Sequence, residues 1–185
     1  MSIVKAGIIR TARLELLPLL VEHAQEMAAV LSDPALHGCT GGTPDTPQEL
    51  RSRYRRITAG SPDPAVSWLN WVIRLREEDR LTGTAQATVG PAGGGAGAVA
   101  EVARVVGTPW QGRGIASEAA RGLVGRPAGQ GVECVIAHIH PDHRASAAVA
   151  TAAGLTPTGD MRDGEVRWRR VIGPRPAHAP GTPGS

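Results

Sequence analysis

Apolar residues recur along this chain with two different periods, and the switches between them divide it into elements. Arg13-Leu14-Glu15-Leu16-Leu17-Pro18 alternates and stops at a proline, the pattern of a strand. From Leu20 to Leu31, the residues Leu20, Ala24, Met27 and Leu31 recur at helical spacing, which predicts an amphipathic helix ending before Asp33-Pro34. His37 to Pro47 reads as loop. Thr46-Pro47-Gln48-Glu49 has the form of a capping box with proline at the first helical position, so it opens a helix reaching Ala59. Trp68 to Arg76 puts Trp71, Ile73 and Leu75 on one face, with Asn70, Arg74 and Arg76 mostly on the other. Glu77-Glu78-Asp79-Arg80 is then a turn, and Leu81 to Val89 is the returning strand of a hairpin.

The second half continues the alternation of strand and helix. Gly90 to Gly97 joins two strand-like segments and opens no helix, so it is a flexible hairpin tip. Ala98 to Val106 is a strand, and Ala116 to Gly125 a helix whose end Gly122, Gly125 and Pro127 should shorten or bend. Val132 to Ile139 is a nearly continuous apolar run, as in a central strand. Ser146 to Ala153 is a short helix stopped by Gly154, and two further strands flank the turn pair Asp163-Gly164. Residues 1–10 form a short apolar lead, and Gly173 to Ser185, rich in proline and glycine, reads as a disordered tail. The order β-α-α-β-β-β-α-β-α-β-β predicts a single α/β domain over residues 1–172, built on a mixed sheet.

Composition narrows this picture in three ways. A chain of 185 residues is long enough for one domain with a sizeable core, and with 3% aromatic residues and no Phe that core must be Leu, Val, Ile and Ala. The net charge of +3 is carried almost wholly by arginine, Lys5 being the only lysine. The charges are scattered, and Arg51, Arg53, Arg55 and Arg56 would spread over more than one face of a helix. That is a solvated surface and speaks against a nucleic-acid partner. No stretch resembles a signal peptide or membrane span, and Cys39 and Cys134 have no CxxC spacing. A cytoplasmic domain without a membrane partner or a disulfide framework is expected.

The chemistry concentrates in Val105 to Glu118, where a β-branched run passes through Gly107-Thr108-Pro109-Trp110-Gln111-Gly112-Arg113-Gly114 into an alanine-rich helix. Unpaired N–H groups in the first turn of a helix, backed by its dipole, favour an anion, and glycines allow the main chain to approach it. A Walker loop would need a Lys-Ser/Thr pair here, and there is none. A dinucleotide fingerprint would need an acid ending the next strand, whereas Glu133 begins it.

Gln111-Gly112-Arg113-Gly114-Ile115-Ala116 does match the Q/R-x-x-G-x-G/A signature of the GCN5-related N-acetyltransferases (GNAT). Gly97 to Val106 looks like the strand that precedes this loop in the family. His140-Pro141-Asp142-His143-Arg144-Ala145-Ser146 with Gly154-Leu155 is similar to the family's N-x-x-S stretch ending in Gly-Phe. Arg13 to Pro18 and Trp68 to Ile73 resemble the RimJ/RimL-like branch. The resemblance covers roughly residues 10–172.

It implies a mostly antiparallel mixed sheet, flanked by helices, whose central strands 98–106 and 132–139 splay apart. It further implies that backbone N–H groups at Arg104, Val105 and Val106 receive the pantetheine arm of acetyl-CoA. Gln111, Gly112, Arg113, Gly114, Ile115 and Ala116 would cradle the pyrophosphate, with His143 and Ser146 as further cofactor contacts. The activity implied is acetyl transfer to a primary amine of a small molecule or protein N-terminus, by a monomer or homodimer. His143 stands where the family commonly has Asn, Ala150 where other branches carry a Tyr general acid, and Leu155 where Phe is usual. Arg126-Pro127-Ala128-Gly129 interrupts the helix after the loop. Ala150 and the interrupted helix favour an alternative: a catalytically degenerate acyl-CoA-binding sensor or interaction module.

An alkyl amine with a pKa near ~10 must lose a proton, and Glu101, an acid in the apolar strand Val99-Ala100-Glu101-Val102-Ala103, is the candidate base. It would equally serve a solvated face or pair with Arg104 or Arg74. Ser146 is a candidate partner of the departing sulfur, or else the cap of its helix. His138, His140 and His143 have a spacing open to zinc, but no Cys or acid completes the set, and no metal is expected.

Overall fold

The computed structural model describes residues 4–38, 42–93, 97–126 and 130–173. It has eight strands: β1 (Ile9–Arg10), β2 (Leu14–Pro18), β3 (Ser67–Leu75), β4 (Arg80–Pro91), β5 (Ala98–Val106), β6 (Val132–Ile139), β7 (Thr156–Arg162) and β8 (Glu165–Val171). Four α-helices accompany them: α1 (Ala24–Val30), α2 (Pro47–Thr58), α3 (Ile115–Gly125) and α4 (Arg144–Ala152). The strands form one sheet in the order β1-β2-β3-β4-β5-β6-β8-β7, with every neighbouring pair antiparallel except β5 and β6. The expected α/β domain with a mixed, mostly antiparallel sheet is therefore the fold observed.

The alternation in β3 places Trp71, Ile73 and Leu75 in one core, at 0–2% exposure, with Ala85, Ala87 and Ala100 beside them. α3 and α4 cover this face through Ile115, Ala119, Leu123 and Ala150. Val72 points the other way and meets Met27 of α1 and Leu50 and Tyr54 of α2. Burial pushes the Tyr54 hydroxyl up to about 12. α2 begins as its sequence requires: the Thr46 N–H donates to Glu49 Oε2 at 2.8 Å, and the Glu49 N–H donates to Thr46 Oγ1 at 3.2 Å. Asp163 and Gly164 both have positive φ (51° and 81°), as a tight hairpin between β7 and β8 demands.

Several boundaries differ from expectation. Ile9–Arg10 in the apolar lead is a short edge strand. The helix expected over Leu20 to Leu31 starts as a 3-10 turn, Val21–His23, because His23 Nδ1 accepts the Leu20 N–H and holds the entry tight; the α-helix begins at Ala24. Pro34–His37 is a further 3-10 turn, opened by Asp33, whose carboxylate accepts the Ala35 N–H. α3 runs unbroken through Gly122, where a Cβ would lie 2.9 Å from Thr11 Cγ2, so the glycine serves close packing on the β1–β2 turn. The expectations for Cys39, for the break at Pro127-Ala128-Gly129, for the middle of the glycine-rich tip and for the tail beyond Gly173 lie outside the described residues.

Candidate functional site

The feature that makes a site is the junction of β5 and β6. These two strands pair only from Ala98 to Glu101, against Val132 to Ile136, and beyond Glu101 they part. β4 stays paired with β5 up to Val106. The Gly107 N–H donates to Thr82 O at 2.8 Å, which sets the alternation on β5: Ala103 and Val105 address β4, while Val102, Arg104 and Val106 turn their N–H and C=O groups toward the gap. A buried backbone group without a partner is costly, so such an inner edge calls for a ligand with amides or carbonyls of its own.

The glycine loop stands at the open end of that gap. Thr108–Trp110 forms a 3-10 turn, and Gln111 Nε2 donates to Val106 O at 3.1 Å, pinning the loop to the end of β5. Gln111 thus acts through its amide as a brace. Gly112 and Gly114 both lie in the left-handed region (φ 76° and 77°), and Gly114 is the N-cap of α3, with no side chain to cap it. The N–H groups of Gly112, Arg113, Gly114, Ile115, Ala116 and Ser117 make no hydrogen bond among the described residues. Six donors in a row at a helix start form an anion cradle.

The Arg113 guanidinium, expected to reach a phosphate, is held instead by Glu78 Oε1 at 2.7 Å and Glu77 at 3.4 Å, in the β3–β4 turn. The Trp110 indole N–H donates to Glu78 Oε2 at 3.0 Å, and these bonds from Trp110 and Arg113 hold the Glu78 carboxyl below its ordinary range. On the other side, Glu118 accepts from the Thr11 hydroxyl at 2.6 Å and from the Arg13 N–H and Nε, each at 2.7 Å. Arg13 also donates to Arg113 O at 3.0 Å. Burial pushes the Glu118 carboxyl up, but those bonds from Thr11 and Arg13 together outweigh it and hold it below its ordinary value. The cradle is therefore braced from both flanks by side chains and presents main-chain donors.

Inside the gap, Val102, Arg104, Ala137, Ile139, Val149 and Ala150 line a narrow apolar cleft beneath α3 and α4. Arg104 is the exception in charge. Burial pushes its guanidinium below its ordinary value, and its Nε is sealed from solvent without a hydrogen-bond partner among the described residues. Ala150, 6% exposed, contributes a methyl and offers no proton.

Glu101 is the last β5 residue paired with β6, on the face opposite α3 and α4. Neither Arg104 nor Arg74 is its partner: His138 Nδ1 lies 2.7 Å from Glu101 Oε1. The carboxylate keeps 42% of its side chain exposed and the imidazole 10%. His138 had signalled itself only as part of a metal pattern; its link to Glu101 is set by the parallel register of β5 and β6. The other two histidines have local roles. His143 Nδ1 accepts the Ser146 N–H at 3.2 Å and so caps α4, the task considered for Ser146. Ser146 sits inside the first turn, its hydroxyl making no hydrogen bond among the described residues. His140 Nδ1 accepts the Asp142 N–H at 3.2 Å. Among the described residues no three His, Cys, Asp or Glu side chains gather as a metal site requires, and no helix is long and apolar enough to cross a membrane.

Comparison with known proteins places this geometry in context. A family model described as acetyltransferase (GNAT) domain matches residues 13–156. Among solved structures, an acetyltransferase (GNAT family) from Bacillus anthracis is 17% identical, with a TM-score of 0.73 over 90% of this chain and 99% of that one. RimL, a ribosomal α-N-protein acetyltransferase determined with coenzyme A, is 16% identical, with a TM-score of 0.70 over 91% of this chain and 100% of its own. The microcin self-immunity acetyltransferase MccE, determined with acetyl-CoA and AMP, is 15% identical, with a TM-score of 0.68 over 87% and 93%. Among curated proteins none matches.

Proposed function

The chain belongs to the GNAT acetyltransferase family, and from that premise we propose that it transfers an acetyl group from acetyl-CoA to a primary amine, on a small molecule or a protein N-terminus. The observation that carries this reading is the row of six N–H groups, Gly112 to Ser117, without a partner among the described residues, at the open end of the β5–β6 gap. A diphosphate fits that cradle, and an amide-bearing arm fits the inner edges of the gap. The Arg104 Nε, without a partner among the described residues, adds a donor inside the cleft, which suits a ligand carrying oxygen acceptors along its length. Bound there, acetyl-CoA would supply an activated thioester; the rest falls to this chain's own groups.

The Arg104 and Val106 N–H groups, facing the gap, are placed to polarise a carbonyl; removing one such donor typically lowers rate ~10²–10³-fold. Glu101 stands where the strands part and belongs to the machinery that takes the acceptor's proton. The Ser146 hydroxyl is available to the departing sulfur. A thiol like that of Cys has a pKa near ~8.5, so its thiolate leaves readily and Ala150 need not be an acid. The resemblance of Arg13 to Pro18 and Trp68 to Ile73 to the RimJ/RimL-like branch supports a protein N-terminus or a small amine as the acceptor. The close Glu101–His138 pair favours an enzyme over a degenerate binding module.

Thiol release from acetyl-CoA across a panel of amines, with coenzyme A binding followed by calorimetry, tests the proposal. Release with at least one amine is expected. Clear coenzyme A binding with no release from any amine would sink the enzyme and leave the binding module.

A further inference from the structure

We infer that the acceptor's proton is taken by His138 Nε2, and that Glu101 is the positioning residue that aims and charge-balances this imidazole. The inference rests on the acetyltransferase reading above and goes beyond it by assigning the base. Its geometric ground is the 2.7 Å contact between His138 Nδ1 and Glu101 Oε1. A carboxylate oxygen accepts, so the imidazole donates through Nδ1, and that fixes its tautomer. Nε2 is then the atom with a free lone pair. It makes no hydrogen bond among the described residues, and it is not among their sealed, unpartnered polar atoms.

Position supports the same division of labour. Glu101 is the last residue of the parallel ladder, and His138 lies two residues past its partner Ile136, where β6 has already turned away. The pair therefore spans the vertex of the gap, and the Arg104 N–H faces that gap three residues further along β5. The imidazole is the sheltered member and the carboxylate the solvated one, at 10% and 42% exposure. As a class, solvated carboxylates are weak proton acceptors near neutral pH, whereas imidazole is the side chain whose ordinary range lies there. The order carboxylate, imidazole Nδ1, imidazole Nε2, reacting group is that of the orienting acid and base in hydrolytic triads.

The other charged and titratable groups near His138 come from β6, β7 and β8. Arg167 is its register partner on β8, with Nη1 3.8 Å from Asp160, and Arg169, two pairs further, donates Nε to Cys134 Sγ at 3.2 Å. Two cations on that side make Glu101 the group that steadies an imidazolium. The step balances as follows. The acceptor nitrogen bonds to the thioester carbonyl carbon, and its proton passes to His138 Nε2. The carbon–sulfur bond breaks with the electron pair going to sulfur, the thiolate takes a proton from water, and the imidazolium returns its own to solvent.

The test compares His138→Gln, Glu101→Gln, the double variant and His138→Ala, with rates taken per coenzyme A site titrated by calorimetry, so that loss of folded protein does not count as loss of catalysis. His138→Gln should lower kcat by about 10²-fold or more with the KM for acetyl-CoA unchanged, and the double variant should be no worse. In Glu101→Gln the acid limb of the kcat profile should persist, because the imidazole that takes the proton is still present. Added imidazole should restore part of the rate of His138→Ala, which no structural tie would do. If His138→Gln keeps the wild-type kcat while Glu101→Gln abolishes the acid limb, Glu101 is itself the base and the inference fails. Absence of thiol release by the wild-type chain would instead overturn the acetyltransferase reading, and this inference with it.

Discussion

Replacing Gly114 by alanine separates the strain of a backbone conformation from the loss of a binding cradle. Gly114 has φ 77°, and a residue with a Cβ held in that region costs roughly 1–2 kcal/mol. The new Cβ would sit 3.3 Å from Arg13 Nη2, the far end of a flexible side chain, so sterics add little. For a chain of this size ~1–2 kcal/mol lowers Tm by about 2–8 °C. Relief of the strain must rotate the peptide on one side of Gly114 or the other, and that re-aims N–H groups of the Gly112 to Ser117 row. Losing one charge-assisted bond of roughly 1.5–3 kcal/mol weakens coenzyme A about 10- to 150-fold. Gly131 provides the control: its φ is 76° and a Cβ there meets nothing within 4 Å, away from the cradle. Gly131→Ala should therefore show the same Tm loss and an unchanged Kd. Calorimetric titration of both variants with coenzyme A, beside their melting curves, decides the matter. Equal Kd values for the two variants would refute the placement of the phosphates at this loop.

Two further outcomes follow from the bonds described. Thr46→Ala removes the hydroxyl that accepts the Glu49 N–H and should cost about 1 kcal/mol in urea unfolding, since a lost N-cap typically costs that much. Glu118 is held below its ordinary range in the fold, so its stabilisation is fully present above the unfolded value near ~4.3 and is lost as pH falls through the folded one. The urea midpoint should accordingly drop on acidification below about pH 4.5, and Glu118→Gln should flatten that drop while lowering the midpoint at neutral pH; an equally steep fall in the variant would show that other carboxylates set it.

Much of this molecule is legible in its residues where the cause is local. The Thr46–Glu49 box, the Asp163-Gly164 turn and the alternation in β3 each depend on residues a few positions apart, and each forms as its pattern indicates. The passage from Val106 through the glycines into α3 is local too, which is why the cradle could be recognised from the chain alone. What stayed hidden depends on register or docking. Glu101 and His138 are 37 positions apart and meet only because β6 lies parallel to β5 in one particular register. Arg113 is claimed by Glu77 and Glu78 because the β3–β4 turn folds against the loop, and nothing in either segment's own pattern announces that encounter. The cap of α4 fell to His143 because the turn at His140 to Asp142 brings its Nδ1 under the Ser146 N–H.

An open sheet ordinarily has two edges, one at each end. This one has four over part of its height, because β5 and β6 each expose an inner rim beyond Glu101. Bare rims are templates for pairing with other chains, and proteins generally blunt them with charge, bulges or cover. Here the cover is the roof of α3 and α4 on one side and the narrowness of the wedge itself. A molecule seated in the wedge would finish the covering, acting as a short strand that the polypeptide does not supply. Occupancy and colloidal behaviour are then linked: at a ligand concentration of 100 times Kd the folded state gains roughly 2.7 kcal/mol, and the two inner rims are withdrawn from intermolecular pairing at the same time.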